Sequence, residues 1–232
     1  MLPVRALLVD FDGTACLQDV SGMLLDAFGE PEWERFDDAV DRGEMGLREA
    51  AEHQAAMLRG SREAMLAHAL EHAELAPTFS PFVAWAQANE LPMTLASDGF
   101  AIYMGPILER AGLGHLEVVT NELVFEDGGV SLRHPNAHPV CIGCGTCKML
   151  VAKRLRDAHG PIAFVGEGQS DRYCAAYSDV VFAKDALVEI CEQDGVPFLP
   201  WDTFDDVRNA LETLGSLPGP VEPEPCPGWR TP

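Results

Sequence analysis

The sequence predicts an α/β fold in which a mostly parallel sheet is covered by helices. Short apolar runs without alternation recur along the chain, which is typical of strands that are buried on both faces of a sheet. Stretches with helical periodicity separate these runs, and strands that alternate with helices favour parallel pairing. The chain has 232 residues, and 47% of them are hydrophobic, so it can bury a large core and is not disordered throughout.

Four apolar runs are the predicted strands of this sheet. They are Ala6 to Val9, Met93 to Ala96, Ile162 to Val165 and Val180 to Ala183. Ser80 and Pro81 predict the start of one helix, because serine caps a first turn and proline fits its first position. A second helix is predicted after Gly145 and ends near Gly160. Between Leu123 and Arg133 we expect a short hairpin that turns at Glu126-Asp127-Gly128-Gly129.

Residues 17–76 interrupt the alternation of strands and helices. Their apolar residues recur at helical spacing, and no run in this stretch predicts a strand. We therefore expect a small helical bundle inserted directly after the first strand, with the α/β core formed by residues 1–16 and 77–215. The remaining segment, 216–232, is rich in proline, and its composition predicts disorder.

Charge and composition exclude several classes of protein. The formal net charge is −21, so phosphate backbones and anionic lipid surfaces would repel the chain, and we expect neither a nucleic-acid nor a membrane partner. No apolar stretch is long enough to span a bilayer, and the start lacks the features of a signal peptide. Seven cysteines, an odd number, favour reduced thiols and a cytoplasmic protein. An anionic substrate would need concentrated local positive charge.

Two acidic residues, Asp10 and Asp12, directly follow the first predicted strand. Ligands of open α/β sheets bind outside the carboxyl ends of the strands, so both carboxylates are expected at the mouth of a site. Two neighbouring carboxylates repel each other unless a cation or a shared proton intervenes. The pair therefore suits a magnesium site in which one Asp attacks and the other transfers a proton. Alternatively, the two acids cap the turn that follows.

Three further segments carry polar residues at the ends of strands or the start of a helix. Ser97 follows the second predicted strand and precedes Asp98 and Gly99, whereas Lys148 lies where the helix after Gly145 begins. The sequence Gly-Glu-Gly-Gln-Ser-Asp at 166–171 follows the strand that ends at Val165. Together with the first pair of acids, these segments supply a nucleophile, a hydroxyl, an amine and two more carboxylates.

This order of motifs resembles that of the haloacid dehalogenase-like superfamily of phosphotransfer enzymes. The resemblance rests on Asp-Phe-Asp-Gly-Thr at 10–14, Ser97, Lys148 and the acidic motif at 166–171. It implies a Rossmann-like core, a small phosphorylated metabolite as substrate and hydrolysis through an aspartyl-phosphate.

The resemblance also implies a role for each matching residue. Asp10 would be the nucleophile and Asp12 the general acid, while Ser97 and Lys148 would hold the phosphoryl oxygens. The implied Mg²⁺ ligands are Asp10, Asp12, Glu167 and Asp171, with Glu167 at a position where the family most often has Asp.

The helical insert resembles the C1-type cap of the phosphoserine phosphatase-like branch. Ser97-Asp98-Gly99-Phe100 is similar to the Ser-Gly-Gly-Phe segment of that branch, and Asp19 stands where phosphoserine phosphatases have a Glu that binds the substrate amine. The likeness implies that Ser97, Asp98, Gly99 and Asp19 contact the substrate, and we expect a monomer or a homodimer. Asp98 and the shorter side chain at position 19 depart from the phosphoserine pattern, which leaves that substrate as an alternative.

Three cysteines, Cys141, Cys144 and Cys147, lead directly into Lys148. This stretch resembles the methionine-salvage phosphatases that act on 2-hydroxy-3-keto-5-methylthiopentenyl phosphate. Three thiolates and an upstream histidine could also hold a structural Zn²⁺, or the cysteines could simply be small buried residues. A non-catalytic sensor of a phosphorylated ligand is a further alternative, since Glu167 and Asp98 depart from the family pattern.

Overall fold

Five parallel strands form the sheet of a first compact unit, and they include all four predicted runs. The computed structural model describes residues 2–126 and 129–232, and its first unit comprises residues 2–17, 75–96 and 148–227. Its strands are β1 (Ala6–Val9), the start of β2 (Met93–Phe100), β5 (Ile162–Gly166), β6 (Val180–Ala183) and β7 (Leu199–Pro200). Their order is β2-β1-β5-β6-β7. The predicted α/β class with a mostly parallel sheet is confirmed.

The register of the first unit sets β1 between two parallel neighbours. Leu8 pairs with Thr94 of β2 on one side and with Phe164 of β5 on the other. Every residue of β1, β5 and β6 is buried. This burial on both faces is the reason that these strands appear in the sequence as continuous apolar runs. The helices of the unit are α5 (Phe79–Ala88), α7 (Lys148–His159), α8 (Arg172–Ala175), α9 (Ala186–Asp194) and α10 (Phe204–Thr213).

The second unit comprises the helical segment 18–74, residues 97–147 and the last residues, 228–232. The helical segment forms α1 (Val20–Phe28), α2 (Arg35–Asp41), α3 (Leu47–Met57) and α4 (Arg62–His72). The other elements are the end of β2, α6 (Ala101–Arg110), β3 (Glu117–Glu126) and β4 (Gly129–Arg133). Within this unit α3 packs against β4, and α4 packs against α6. The sequence pattern carries no signal for these contacts, because they join segments far apart in the chain.

The hairpin expected between Leu123 and Arg133 is present as an antiparallel pair. Glu122 pairs with Arg133, and Glu126 pairs with Gly129. Asp127 and Gly128, where the turn was expected, lie outside the described residues. The first strand of the pair begins at Glu117, earlier than the sequence predicts.

The proline-rich tail forms main-chain hydrogen bonds in each of the two units. In the first unit, Gly219 N donates to Asp179 O, and the amides of Val221 and Glu222 both donate to Ala176 O. The tail residues other than proline have an amide hydrogen, and several of these amides donate to main-chain oxygens. In the second unit, Ile142 N donates to Arg230 O at 2.8 Å.

Aromatic packing explains where α5 begins. The helix starts at Phe79, before the predicted Ser80 and Pro81, and Thr78 precedes it. Thr78 Oγ1 accepts a hydrogen bond from Phe204 N at 3.0 Å. The ring of Phe204 is fully buried and lies 5.1 Å from that of Phe79, and it also contacts Phe82 and Trp201. This tertiary contact explains why the helix begins before Ser80, the residue that the sequence predicts as its N-cap.

Among residues 2–126 and 129–232, no helix combines the length and the apolar character that crossing a membrane requires.

Replacing Phe204 with alanine should lower the free energy of unfolding by about 3–5 kcal/mol, because the substitution leaves a cavity among three aromatic side chains. Urea denaturation followed by far-UV circular dichroism measures the change. Leu17→Ala is the matched control in the same unit, since this leucine is 51% exposed, and we expect its effect to stay within about 0.5 kcal/mol. Equal losses in the two variants would contradict the assignment of Phe204 to the core.

Candidate active site

A wide turn directly after β1 carries the first two acidic residues. Asp10 N donates to Val165 O at 2.9 Å, so Asp10 lies beside the end of the neighbouring strand β5. Ala15 N donates to Asp10 O and Cys16 N to Phe11 O, which is the five-residue spacing of a π turn. The strand therefore stops at Val9, and Asp10 and Asp12 lie on the turn that follows it. The side chain of Asp10 is buried and that of Asp12 is half-buried.

Glycine is required within this turn for two reasons. Gly13 has a φ of +70°, which side-chain-bearing residues adopt at a cost. A Cβ atom at this position would lie only 3.0 Å from Cδ of Glu167, the residue that follows β5. The glycine of the Asp-Phe-Asp-Gly-Thr motif thus lets the turn approach the second acidic segment.

The ammonium group of Lys148 lies at the centre of the site. Lys148 is the first residue of α7, and its Nζ donates to Asp10 Oδ1 at 2.6 Å and to Asp171 Oδ1 at 2.6 Å. A third donation goes to Ser170 Oγ at 3.0 Å. These three acceptors draw on the three protons of the ammonium group. The lysine and both carboxylates are almost completely shielded from solvent, with side-chain exposures of 1%, 6% and 0%.

Asp171 holds both the lysine and its own loop. One carboxylate oxygen accepts from Lys148, and the other accepts from the main-chain amides of Glu167 and Gly168 at 2.9 and 3.2 Å. A carboxylate that accepts this many hydrogen bonds is fixed in one orientation. Asp171 therefore shapes the turn that presents Glu167.

Burial and neighbouring negative charges disfavour the ionised form of two carboxyl groups in the site. Burial, followed by the charge of Asp171, raises the pKa of Asp10 to about 7 despite the opposing effect of Lys148. Burial also raises the pKa of Glu167 to about 7, together with the charges of Asp10, Asp171 and Asp185. Three carboxylates and one ammonium leave two negative charges uncompensated when all are ionised. One divalent cation would balance them.

The residues present suit Mg²⁺ by their chemistry. Carboxylate oxygens are its preferred protein ligands, and it usually takes only one or two of them and keeps several waters. The pKa values of Asp10 and Glu167 are raised, and a nearby cation would lower both of them. Within residues 2–126 and 129–232, no three His, Cys, Asp or Glu side chains are grouped to hold an ion by themselves.

The cysteine segment is organised by other contacts. Cys141 is buried, and its sulfur accepts from the amides of Gly143 and Arg230, both at 3.3 Å. Cys147 is buried and Cys144 is half-buried. In the part of the chain that the structure describes, the cysteines form no metal site.

The predicted site residues divide between the two units. The first unit brings together Asp10, Lys148, Glu167 and Asp171 and also contains Asp12, whereas Ser97, Asp98, Gly99 and Asp19 belong to the second. In the second unit, Ser97 is buried and its Oγ accepts from Gly99 N at 2.8 Å. The Asp19 carboxylate caps α1 by accepting from Gly22 N at 3.0 Å and also accepts from the Ser21 hydroxyl.

Sequence reasoning missed two contributors to the site in the first unit. Ser170 supplies the third acceptor for Lys148, and Asp185 adds negative charge near Glu167. The serine stands directly before Asp171, so its place in the acidic motif was the available signal. No such signal exists for Asp185. Its contribution depends on a tertiary contact that holds the start of α9 beside the loop of Glu167, where Leu187 N donates to Glu167 O.

Comparisons with known proteins show which proteins this chain is similar to. The family model of the haloacid dehalogenase-like hydrolases matches residues 7–176. The chain is 28% identical over 218 residues to a protein from Bacillus velezensis named 2-hydroxy-3-keto-5-methylthiopentenyl-1-phosphate phosphatase, and the match covers 91% of each chain. A protein of the same name from Exiguobacterium sibiricum is also 28% identical, over 89% of this chain and 96% of its own. A substrate-bound phosphoserine phosphatase structure shares the fold, with a TM-score of 0.70, 14% identity and coverage of 91% and 99%.

In the metal-free protein, Glu167→Gln should become more stable relative to the wild type as the pH rises from about 4.5 to 8. The folded wild type keeps a proton on Glu167 up to a pKa of about 7, whereas the unfolded chain loses it near 4.5. Stability from that proton is therefore complete at low pH and is lost as the pH rises through 7. Thermal unfolding in EDTA at several pH values measures the difference between the two proteins.

Adding Mg²⁺ at pH 8 should reverse this order by stabilising the wild type more than the variant. A difference between the two proteins that stays flat with pH in EDTA would contradict the raised pKa of Glu167.

Proposed function

The chain belongs to the haloacid dehalogenase-like hydrolase family, and we propose that it is a Mg²⁺-dependent phosphatase that hydrolyses a small phosphorylated metabolite. The observation that carries this proposal is the buried contact of Lys148 Nζ with Asp10 Oδ1 at 2.6 Å. A chain with a net charge of −21 repels phosphate esters in general. The lysine supplies the concentrated positive charge that such a substrate needs, and it does so beside a carboxylate that can attack phosphorus.

Asp10 is the nucleophile of this reaction. One of its carboxylate oxygens attacks the phosphorus atom, and the bond between phosphorus and the ester oxygen breaks as the new bond forms. Asp12, two residues further along the turn, gives its proton to the leaving oxygen, so the alcohol departs neutral. In the second half of the reaction Asp12 takes a proton from water, and the water oxygen attacks the phosphorus. This step releases inorganic phosphate and restores Asp10.

Lys148 and the acidic loop prepare this chemistry. The lysine offsets negative charge on the nucleophile and on the phosphoryl oxygens, and Ser170 and Asp171 fix its position. Asp10 and Glu167 would be the carboxylate ligands of Mg²⁺, together with several waters, while Asp171 keeps the loop of Glu167 in place. When bound, the ion would add positive charge at the phosphoryl group. This charge stabilises the transition state of phosphoryl transfer.

The helices between residues 17 and 76 act in this proposal as a C1-type cap on a core of residues 1–16 and 77–215. A cap that closes over the site excludes water other than the attacking molecule and restricts the substrate to a small metabolite. The residues that we propose to contact the substrate are Ser97, Gly99 and Asp19.

A methionine-salvage phosphate ester, 2-hydroxy-3-keto-5-methylthiopentenyl 1-phosphate, is the substrate that we favour. The name of the two reported relatives supports it, and their similarity extends over about nine-tenths of the chain. Phosphoserine is the second candidate, and the similarity to a phosphoserine phosphatase structure supports the fold alone. The carboxylate of Asp19 already caps α1. To bind the amine of phosphoserine, it would have to do so in addition to this capping role.

Asp10→Asn should reduce the rate of phosphate release from p-nitrophenyl phosphate by roughly 10³-fold or more, because the amide is a poor nucleophile. The assay is run with Mg²⁺ and repeated with EDTA, which should abolish turnover by the wild type. Asp157→Asn, at an exposed position of the same unit, is the control and should retain wild-type activity. A wild type that binds phosphate esters tightly in Mg²⁺ but releases no phosphate would instead indicate a sensor.

Among phosphorylated metabolites, the methylthiopentenyl ester should give a kcat/KM at least about 10²-fold above that of phosphoserine. A pocket that lacks a partner for the substrate amine leaves that charged group desolvated, and such mismatches cost about two orders of magnitude or more. Release of inorganic phosphate from each compound measures the ratio. A preference for phosphoserine would contradict the choice of substrate and leave the phosphatase assignment intact.

A further inference from the structure

A buried polar cluster in the second unit is not used by the proposed reaction. Asn121 on β3 is completely buried, and its Nδ2 donates to the main-chain oxygen of Asp98 at 2.7 Å. Its Oδ1 lies 2.8 Å from Nδ1 of His134, whose side chain is 4% exposed. Nε2 of His134 lies 3.1 Å from Oε1 of Glu52 on α3. Buried polar groups are costly unless they are paired, so the contacts of Asn121 with His134 and with the main chain of Asp98 fix these buried groups in one arrangement.

The carboxylate of Asp98 connects this cluster to the segment that precedes the catalytic lysine. Its Oδ1 accepts a hydrogen bond from Thr146 N at 2.6 Å, and Thr146 is buried. Hydrogen bonds between a main-chain amide and an ionised carboxylate are among the stronger ones in proteins. Thr146 stands two residues before Lys148 in the chain.

Gly145 shows independently that this segment is held against the cluster. A Cβ atom on Gly145 would lie 2.7 Å from Oδ1 of Asn121 and 2.8 Å from Nδ1 of His134. Any side chain would therefore collide with both polar groups. The main chain at 145–146 is fixed by close approach at one residue and by a charged hydrogen bond at the next.

We propose that Asp98 is a positioning residue, which fixes the chain at Gly145 and Thr146 and thereby the start of the helix that carries Lys148. The likeness of Ser97-Asp98-Gly99-Phe100 to the Ser-Gly-Gly-Phe segment implied that Asp98 contacts the substrate. The geometry gives its carboxylate a structural partner instead, and Asn121 and His134 support it from the side of β3 and β4. The catalytic consequence rests on the proposed phosphatase function, whereas the contact with Thr146 does not.

Two substitutions at this position separate positioning from substrate contact. Asp98→Asn keeps an oxygen acceptor for Thr146 N, and its kcat should stay within about fivefold of the wild type. Asp98→Ala removes the acceptor and should lower kcat by about 10–100-fold, the loss expected for a charged hydrogen bond. The loss should be the same for p-nitrophenyl phosphate and for larger phosphate esters, with KM changed less than about threefold. A rise in KM that differs between substrates would overturn the proposal, because it would identify a substrate ligand.

Hydrogen exchange at the Thr146 amide tests the contact without any assay of activity. We expect slow exchange in the wild type and in Asp98→Asn, and exchange at least about tenfold faster in Asp98→Ala. Asp41→Ala, an exposed acid of the same unit, is the control and should leave this amide protected. Fast exchange in the wild type overturns the proposal, whereas protection in a wild type that lacks phosphatase activity overturns only the proposed function.

His134→Ala provides a second variant if Asp98→Ala does not fold, which thermal unfolding would reveal. It leaves Asp98 in place but removes a partner of Asn121, so kcat should fall about 3–10-fold and exchange at Thr146 should accelerate. Unchanged exchange in this variant would contradict the supporting role of the cluster.

Discussion

The ammonium of Lys148, enclosed between the carboxylates of Asp10 and Asp171, is the interaction on which the rest of the site depends. Burying three charged groups costs desolvation energy, and an apolar replacement of such a triad is often as stable or more so. Their presence in the core is therefore explained better by chemistry than by stability. The same lysine begins α7, and α7 packs on β1 and β5 of the first unit.

Negative charge has opposite effects at two distances. Most of the excess carboxylates lie in solvent, where salt screens them beyond about 8 Å. The few carboxylates around Lys148 act at contact distance in a dry environment, where they raise each other's pKa. In the proposed reaction, this surplus of negative charge favours the uptake of a cation and, through it, of an anionic substrate.

The sequence predicted the parts of the fold that depend on local pattern. Runs buried on both faces identified β1 and β6 with their observed limits and β5 except for its last residue, Gly166, and the order of motifs identified Asp10, Lys148 and the acidic loop. The pattern could not show that a π turn follows Val9, because that turn depends on Gly13 meeting Glu167. It could not show the partners of Asp98 either, since Asn121 and Thr146 reach it from distant segments. The ordered contacts of the proline-rich tail depend likewise on acceptors elsewhere in the chain.

The first unit is assembled from three separate stretches of chain, and this arrangement has a consequence for biosynthesis. Ala6 pairs with Ile162, so one edge of β1 stays open until more than 150 further residues have left the ribosome. At about 5–20 residues per second, this takes roughly 8–30 s. A fully apolar strand with an open edge is a site for aggregation during that time, and such long-range parallel pairing also folds slowly. Nascent chains of this protein should therefore depend on chaperones more than chains whose strands pair with near neighbours.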